Sequence, residues 1–202
     1  MISLGIQTTE KDLGVLLGRI PPAVEFARWD PALSPAGGYH LYSANPADAF
    51  LAQSLGKGYW MKTAQSVVVD VSGAPATSEV PLNFTVGWNQ LGNPLGQAVA
   101  VADMRARISG ISYELPAAGQ KGYLADYLWI YDSLTASYRL VSQSHPFALQ
   151  EVPKGQGFFL YAGRAGQLVV PQPTTTAETK PVVVTAPAPG DWNLRLVATV
   201  QG

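Results

Sequence analysis

Cysteine is absent from the 202-residue sequence, which excludes disulfide bonds, thiolate nucleophiles and thiolate metal ligands. Charged residues are scarce as well, since they make up 13% of the chain, about half of the usual share. The sequence has no basic run that could follow a phosphate backbone, so no nucleic-acid partner is expected. It also lacks an apolar run of transmembrane length, so membrane insertion is not expected.

Histidine is scarce too: only His40 and His145 are present, and neither has a second histidine or a carboxylate at ligand spacing. We therefore expect no metal site and no cofactor. The best catalytic arrangement joins Ser144 and His145 to a distant carboxylate, Asp132 or Glu151. Because "SQSHPF" lacks the glycines that hold a nucleophile in a strained turn, the sequence predicts a loop histidine and no enzyme.

Glycine and proline are frequent, with 20 and 16 residues, and threonine, valine and aromatic residues accumulate between them. This mixture is typical of short strands joined by tight turns. With 47% hydrophobic residues the chain is expected to be globular, and the predicted fold class is all-β. The glycines of "GKGYW" (56–60) and "GQGFF" (155–159) favour tight turns over a phosphate-binding loop, because each motif leads into an aromatic strand and not into a helix.

The sequence contains an internal duplication. Residues 37–62 align with residues 136–161 without a gap. The alignment pairs Tyr39 with Tyr138, Gly58 with Gly157 and Trp60 with Phe159. This match predicts two copies of one unit, so that residues 26–70 and 127–170 superpose as one fold.

The two copies differ in their opening strand. The second copy opens with "GWNQLGNPLG" (87–96), whereas the first opens with "MISLGIQ", which aligns with "QLGNPLG" and lacks the "GWN" half. The C-terminal "GDWNL" repeats the missing sequence. The prediction is a first repeat at 1–74 that lacks its start, a second repeat at 80–172, a Pro/Thr-rich linker at 173–190 and a tail strand at 191–202.

Three motifs of the second copy resemble a known repeat: "GWNQLGNPLG", "LWIYDSLTASYRLV" and "VPKGQGFFLYA". The repeat is that of secreted and surface-anchored bacterial proteins, where a WNLIGNP-type opening precedes an aromatic strand pair and a GQGFF-type closing strand. The similarity spans most of 86–170 and, more weakly, 1–70. It departs at Gln90, where the repeat usually has an apolar residue, and at Gly5, where its proline is missing. The resemblance implies an extracellular β-module without catalytic activity.

Alternating apolar and polar residues predict strands in the second copy at 84–91, 127–131, 138–142, 157–161 and 168–170, with counterparts in the first. Two stretches, 11–20 and 97–108, have apolar residues at helical spacing and predict one or two helical turns after each opening strand. The expected architecture is two tandem repeats of β-sandwich or barrel type, followed by an extended arm that ends in a strand.

Five aromatic residues of the first copy could form a platform that stacks on sugar rings: Trp29, Tyr39, Tyr42, Tyr59 and Trp60. Of these, Trp29, Tyr42 and Trp60 are the candidate glycan-stacking residues. Strand alternation puts Tyr59 and Met61 on one face and Trp60 and Lys62 on the other. One aromatic side chain of each neighbouring pair must therefore be buried. Packing in the core or between the units is the alternative role for these rings.

The tail sequence "WNLRLVATV" (192–200) alternates like a half-buried strand, but no partner strand follows it. Three interpretations fit the sequence: a truncated third unit, a strand that completes the first repeat of its own molecule, or one that completes the first repeat of a neighbour. Its predicted place in the first repeat is the one that 87–91 takes in the second. The predicted subunit-interface residues are Trp192, Leu194, Leu196, Ala198, Val200, Ile2 and Leu4.

The function predicted from these features is that of a non-enzymatic structural or adhesive subunit, extracellular or on a cell surface. Donation of the tail strand to a neighbour would assemble such subunits head to tail into a filament, so the expected partner is a homopolymer of the same chain. A carbohydrate-binding module of a secreted protein, with a glycan as its ligand, is the alternative.

Overall fold

The computed structural model of the protein is mostly β, with several antiparallel sheets and little helix. This agrees with the all-β class expected from the sequence. The structure describes residues 1–18, 24–33, 37–42, 45, 47–63, 67–172 and 194–199. Within this part of the chain, no helix combines the length and the apolar character needed to cross a bilayer.

The first half of the chain forms a short helix and four strands. In chain order these are α1 Leu13–Leu16, β1 Val24–Asp30, β2 Gly38–Leu41, β3 Trp60–Thr63 and β4 Val67–Ser72. The Asp12 side chain caps α1 by accepting a hydrogen bond from the Val15 N–H. The helical turn predicted within 11–20 is therefore present.

The second half is built almost entirely from strands. They are β5 Val80–Phe84, β6 Gly87–Gly92, β7 Val99–Ala100, β8 Arg105–Ile108, β9 Ile111–Glu114, β10 Leu128–Asp132, β11 Ser137–Val141, β12 Glu151–Val152, β13 Gly157–Ala162 and β14 Gly166–Val170. Helix α2, Leu115–Gln120, follows β9, and a 3₁₀ turn at Val101–Asp103 precedes β8. The tail contributes β15, Leu194–Thr199.

The helix predicted at 97–108 is wrong beyond its 3₁₀ turn, because the last four residues of that stretch form strand β8. Ala106 and Ile108 are buried in the core. Arg105 and Arg107 point away from it and form ion pairs with acidic side chains. Burial with a period of two decides the structure here, although the apolar residues also fit a helical spacing.

The single strand predicted at 84–91 is two strands, β5 and β6. The Asn89 side chain accepts a hydrogen bond from the Thr85 N–H and donates to the carbonyls of Thr85 and Gly87. These bonds hold a turn between the strands, so that β5 and β6 belong to different sheets.

Three antiparallel sheets form most of the fold, with the strand orders β2-β1-β3, β11-β10-β13-β6 and β5-β14-β8-β9. The two four-stranded sheets share one buried cluster, which includes Phe84, Leu128, Phe158 and Leu168. A second cluster covers one face of β2-β1-β3 and includes Phe26, Tyr42, Tyr59, Ile2, Leu4 and Leu13. Each fully buried side chain of this kind contributes about 1.5–3 kcal/mol to folding.

The two halves use the same strand register. Strand β3 holds the same place beside β1 as β13 holds beside β10. The matching cross-strand pairs are Trp29–Tyr39 and Ala27–Trp60 in the first half, and Tyr131–Tyr138 and Trp129–Phe159 in the second. The internal sequence alignment places two of these residues, Tyr39 and Trp60, on Tyr138 and Phe159.

The segments that open the two halves also cross between them. In the first half, Ile2 pairs with Tyr59, just before β3, and with Gln156, in the turn before β13 of the second half. In the second half, Leu91 of β6 pairs with Phe158 of β13 and with Lys57, in the turn before β3 of the first half. The glycines that begin these turns, Gly56 and Gly155, have φ of 76° and 72°, as predicted for tight turns.

The tail strand of this chain does not lie at its predicted position beside β3. Ile2 exchanges hydrogen bonds of 2.8 and 2.9 Å with the backbone of Tyr59, which is the place that Leu91 takes beside Phe158 in the second half. Strand β15 instead pairs in parallel with β4 of the same chain, from Leu194 opposite Val67 to Thr199 opposite Ser72.

Two of the predicted interface residues, Ile2 and Leu4, are buried in the chain's own first cluster. They pack inside the molecule. Leu194, Leu196 and Ala198 lie in β15, whereas Trp192 and Val200 are outside the described residues.

Candidate functional site: an aromatic cleft

Strand alternation places aromatic rings on the outer face of two sheets. In β2-β1-β3, the outer face carries Trp29, Tyr39 and Trp60. The predicted alternation is confirmed, because Tyr59 is fully buried whereas Trp60 is half-buried. In β11-β10-β13-β6, the outer face carries Trp88, Trp129, Tyr131, Tyr138, Phe159 and Tyr161.

The two aromatic faces meet each other edge to face. The Trp29 and Phe159 ring centroids are 6.5 Å apart with an interplanar angle of 81°. Trp60 and Tyr131 hold the equivalent places after exchange of the halves, at 4.9 Å and 66°. Edge-to-face pairs of this kind contribute about 0.5–1.5 kcal/mol each beyond their buried area. They also leave a ridged surface in place of a flat one.

A cleft of about 420 Å³ opens between these rings and is lined by Trp29, Tyr39, Trp88, Trp129, Tyr138 and Phe159. We call it the aromatic cleft. Phe159 forms its floor and is 8% exposed, whereas Tyr39, Trp88 and Tyr138 are 38–48% exposed. None of the six lining residues carries a charge, and the volume lies in the usual range of ligand sites.

Hydrogen bonds fix the tryptophan at the centre of the aromatic cleft. The Trp29 N–H donates to Gln90 Oε1 at 2.7 Å, and its Nε1–H donates to the Trp88 carbonyl at 2.8 Å. The Gln90 side chain thus connects strand β6 of the second half to strand β1 of the first. This contact explains a polar residue at a position where the resembling repeat has an apolar one. Nearby, Trp60 Nε1 donates to the Tyr39 hydroxyl at 3.2 Å.

The remaining polar groups of the aromatic cleft are mainly donors. Among the described residues, the Nε1–H groups of Trp88 and Trp129 have no hydrogen-bond partner, and an indole can only donate. Burial, and then the neighbouring Tyr39 and Tyr131, raise the pKa of Tyr138 above its usual 10.0, so its hydroxyl stays protonated at neutral pH. The aromatic cleft thus offers apolar surface and several donors.

The three candidates for sugar stacking have different positions. Trp29 lines the aromatic cleft, and Trp60 lies beside it against Tyr131. Tyr42 is buried against Phe26, its hydroxyl donates to Asp12 Oδ1 at 2.7 Å, and it is not among the residues that line the aromatic cleft.

Sequence reasoning missed four lining residues: Trp88, Trp129, Tyr138 and Phe159. The internal alignment contained the signal for two of them, because it places Tyr138 on Tyr39 and Phe159 on Trp60. Extending the search for aromatic candidates from the first copy to the second would have found them.

A second cluster surrounds His40. Its Nδ1 is hydrogen-bonded to Asp48, and its Nε2 lies 3.1 Å from Asp30 Oδ2. The Phe50 ring stacks on the imidazole, with 4.4 Å between centroids, and lies 4.1 Å from the Arg28 guanidinium. Since the carboxylates bind opposite sides of the imidazole, they do not converge on one point. Within the described residues, no acidic and histidine side chains are placed to hold a metal ion.

The Ser144–His145 pair lies in the exposed loop between β11 and β12. The loop position predicted for His145 is confirmed. In the part of the chain that the structure describes, no hydrogen bond joins its ring to Asp132 or Glu151, and Asp132 pairs with Arg139.

The His40 cluster predicts a pH-dependent contribution to stability. Burial lowers the pKa of His40, but the hydrogen bonds and charges of Asp48 and Asp30 outweigh this effect and raise it above 6.5. The Phe50 N–H, and then His40, lower the pKa of Asp48 below 3.8. The contribution of His40 is complete below pH 6.5 and is lost as the pH rises through its folded value. That of Asp48 is complete above pH 3.8 and is lost as the pH falls through its folded value.

We therefore expect His40→Gln to lower the free energy of unfolding more at pH 5.5 than at pH 8.5, as measured by urea denaturation. His145→Gln is the matched control, since its exposed ring binds no carboxylate among the described residues. Equal losses for His40→Gln at both pH values would contradict the prediction.

Comparison of the chain with protein-family models, with curated proteins and with solved structures finds no match. The resemblance of the WNQLGNP and GQGFF motifs to a surface repeat therefore stays a prediction. Any function has to be argued from the aromatic cleft and from the strands that form it.

Proposed function

We propose that this protein is a non-enzymatic, extracellular β-module that acts as a structural or adhesive subunit and holds another macromolecule in its aromatic cleft. The observation that carries this proposal is the uncharged aromatic cleft with half-exposed rings. Ligand sites of proteins are typically concave and lined mainly by apolar and aromatic side chains. Aromatic residues are also enriched where partners bind.

The proposal includes two tandem sandwich-like repeats. The equal registers of the two halves and the crossed pairing of Ile2 and Leu91 support this division. The aromatic cleft would then be a product of the duplication, because each repeat supplies one aromatic face.

Binding is favoured over turnover by the chemistry of the lining. The six residues of the aromatic cleft include no carboxylate, imidazole or amine, so they provide no general acid or base of suitable pKa near pH 7. Their indole and phenol groups provide contact area at a low loss of side-chain entropy, which suits recognition.

The proposal predicts retention of the full chain on at least one of three immobilised polymers: cellulose, chitin or gelatin. Trp129→Ala should reduce that retention at least tenfold, because it removes one wall of the aromatic cleft. Phe147→Ala, which removes a fully exposed ring of the loop after β11, is the matched control and should change nothing. Absence of retention on all three polymers at about 100 µM protein, or equal retention of both variants, would contradict the proposal.

Assembly by strand exchange is a second candidate, favoured by the parallel pairing of β15 with β4. Residues 171–193 separate β15 from β14, and an extended chain of these 23 residues spans roughly 70 Å. A neighbour's β4 would then be within reach, and exchange of β15 between copies would give the head-to-tail polymer expected from the sequence.

We expect this exchange to produce dimers and larger species as the protein concentration rises from about 1 to 500 µM, measured by light scattering. Leu196→Pro should abolish them, because proline removes an N–H group and does not fit inside a ladder. Thr199→Ala, at the end of β15, is the control. A wild-type chain that stays monomeric at 500 µM would exclude the exchange.

A further inference from the structure

The hydrogen-bonding capacity of the aromatic cleft restricts its ligand. Indole Nε1–H groups of Trp88 and Trp129 are free donors among the described residues. The Tyr39 hydroxyl accepts a bond from Trp60 and still has its O–H to donate, and the Tyr138 hydroxyl can both donate and accept. A ligand that presents many acceptors and few donors fits this inventory.

The shape of the aromatic cleft restricts the ligand further. The lining rings meet at steep angles, such as 71° between Trp29 and Tyr39 and 87° between Trp88 and Phe159. A flat row of pyranose rings needs coplanar aromatic faces, and its hydroxyl groups need acceptors as well as donors. The aromatic cleft has a ridged surface and only a few acceptors, so it fits such a row of sugar rings poorly.

A proline-rich peptide has the complementary properties. Proline has no N–H group, so it needs no acceptor. The polyproline II helix makes no internal hydrogen bonds, so its carbonyl groups are free to accept hydrogen bonds from the donors of the aromatic cleft. Its pyrrolidine rings fit between aromatic side chains, which is a recurring mode of peptide recognition.

Charge gives the last restriction. None of the six lining residues is charged, so a charged peptide would gain no counter-ion in the aromatic cleft and would lose hydration there. We propose that the aromatic cleft binds an uncharged, proline-rich peptide segment in the polyproline II conformation. This inference rests on the proposed binding function of the aromatic cleft and names its ligand class.

The chain itself contains a sequence of this chemistry, "VTAPAPG" at 184–190, and we choose it as the probe. The acetylated and amidated peptide is titrated into the full-length, ¹⁵N-labelled chain. That chain carries Pro187→Ala and Pro189→Ala, so that its own copy of the sequence does not compete. The indole N–H signals, assigned with Trp→Phe variants, report binding directly at the proposed donors.

The expected result is a shift of the Trp88 and Trp129 indole signals that saturates with a Kd on the order of 10 µM to 1 mM, within the weak range of peptide recognition. A probe with both prolines replaced by alanine should bind at least tenfold more weakly. Tyr138→Phe removes a donor and keeps the ring, whereas Trp129→Phe removes a donor and leaves a smaller aromatic ring, and each should weaken binding about fivefold. Phe147→Ala should leave the affinity unchanged.

Each other outcome overturns a defined part of the argument. Peptide binding that is insensitive to both donor variants would overturn the proposed recognition. Saturable shifts with cellohexaose or chitohexaose, and none with the peptide, would overturn the peptide ligand while leaving a binding function for the aromatic cleft. If the peptide, cellohexaose and chitohexaose all leave the indole signals unshifted, the proposed ligand class is overturned. The retention of the same chain on immobilised polymers then tests the proposed binding function separately.

Discussion

Gly58→Ala is expected to lower the melting temperature by about 6–12 °C. An added Cβ would lie 2.1 Å from the Leu91 carbonyl oxygen and 2.8 Å from its carbon, so two backbones would have to separate. Overpacking against rigid backbone costs about 3 kcal/mol or more, and each kcal/mol shifts the melting temperature of a chain of this size by roughly 2–4 °C. Thermal unfolding followed by circular dichroism measures the change.

Gly96→Ala is the matched control, because an added Cβ there meets nothing within 4 Å. Gly5→Ala should behave like Gly58→Ala, since its Cβ would lie 2.2 Å from the Leu95 carbonyl oxygen. This close approach accounts for glycine where the resembling repeat has proline. A melting temperature of Gly58→Ala within 2 °C of wild type would show that the crossed opening segments are not packed as described.

Asn93→Ala should destabilise the protein by about 3 kcal/mol or more. The side chain is fully buried, and its Nδ2 donates to the carbonyls of Gln97, Val152 and Pro153 at 2.8–3.1 Å. Its Oδ1 accepts from the Leu95 N–H at 2.9 Å. Alanine would leave these backbone groups unsatisfied, and each buried orphan costs about 1–3 kcal/mol.

Urea denaturation measures this loss as a lower midpoint with an unchanged slope. Asn93→Asp should be no better, because a carboxylate places a negative charge beside three carbonyl oxygens. Asn83→Ala, on the exposed side of β5, is the control and should change stability by less than about 0.5 kcal/mol. If Asn93→Ala lowered the free energy of unfolding by less than 1 kcal/mol, the structural role given to Asn93 would be contradicted.

Local patterns predicted much of the fold. Alternation placed Tyr59 inside and Trp60 outside, and the alignment of Tyr39 with Tyr138 agrees with their equal places beside Trp29 and Tyr131. These features depend on neighbours within a strand or a hairpin. A period of two and an internal alignment are sufficient to see them.

The remaining features depend on how separate segments meet. The aromatic cleft exists because two outer faces approach each other, and no pattern within either face specifies that approach. The tail strand resembled an opening strand, but in this chain it pairs in parallel with β4. The burial of the candidate Tyr42 was missed for a similar reason, since Phe26 and Asp12, which contact it, come from other segments of the chain.

The crossing of the opening segments has a consequence for synthesis. Ser3 N–H donates to the Gly155 carbonyl at 2.8 Å, and the Gln156 side chain donates to the Met1 carbonyl at 3.1 Å. Domains commonly fold from the N-terminus while the ribosome is still adding residues. The hydrogen bonds of Met1 and Ser3 need partners that lie some 150 positions later in the chain, and contacts of such long sequence separation form slowly. Until those residues are added, the first half is held by its own buried cluster alone, and the rings of Trp29 and Trp60 lack the partners that the second half provides.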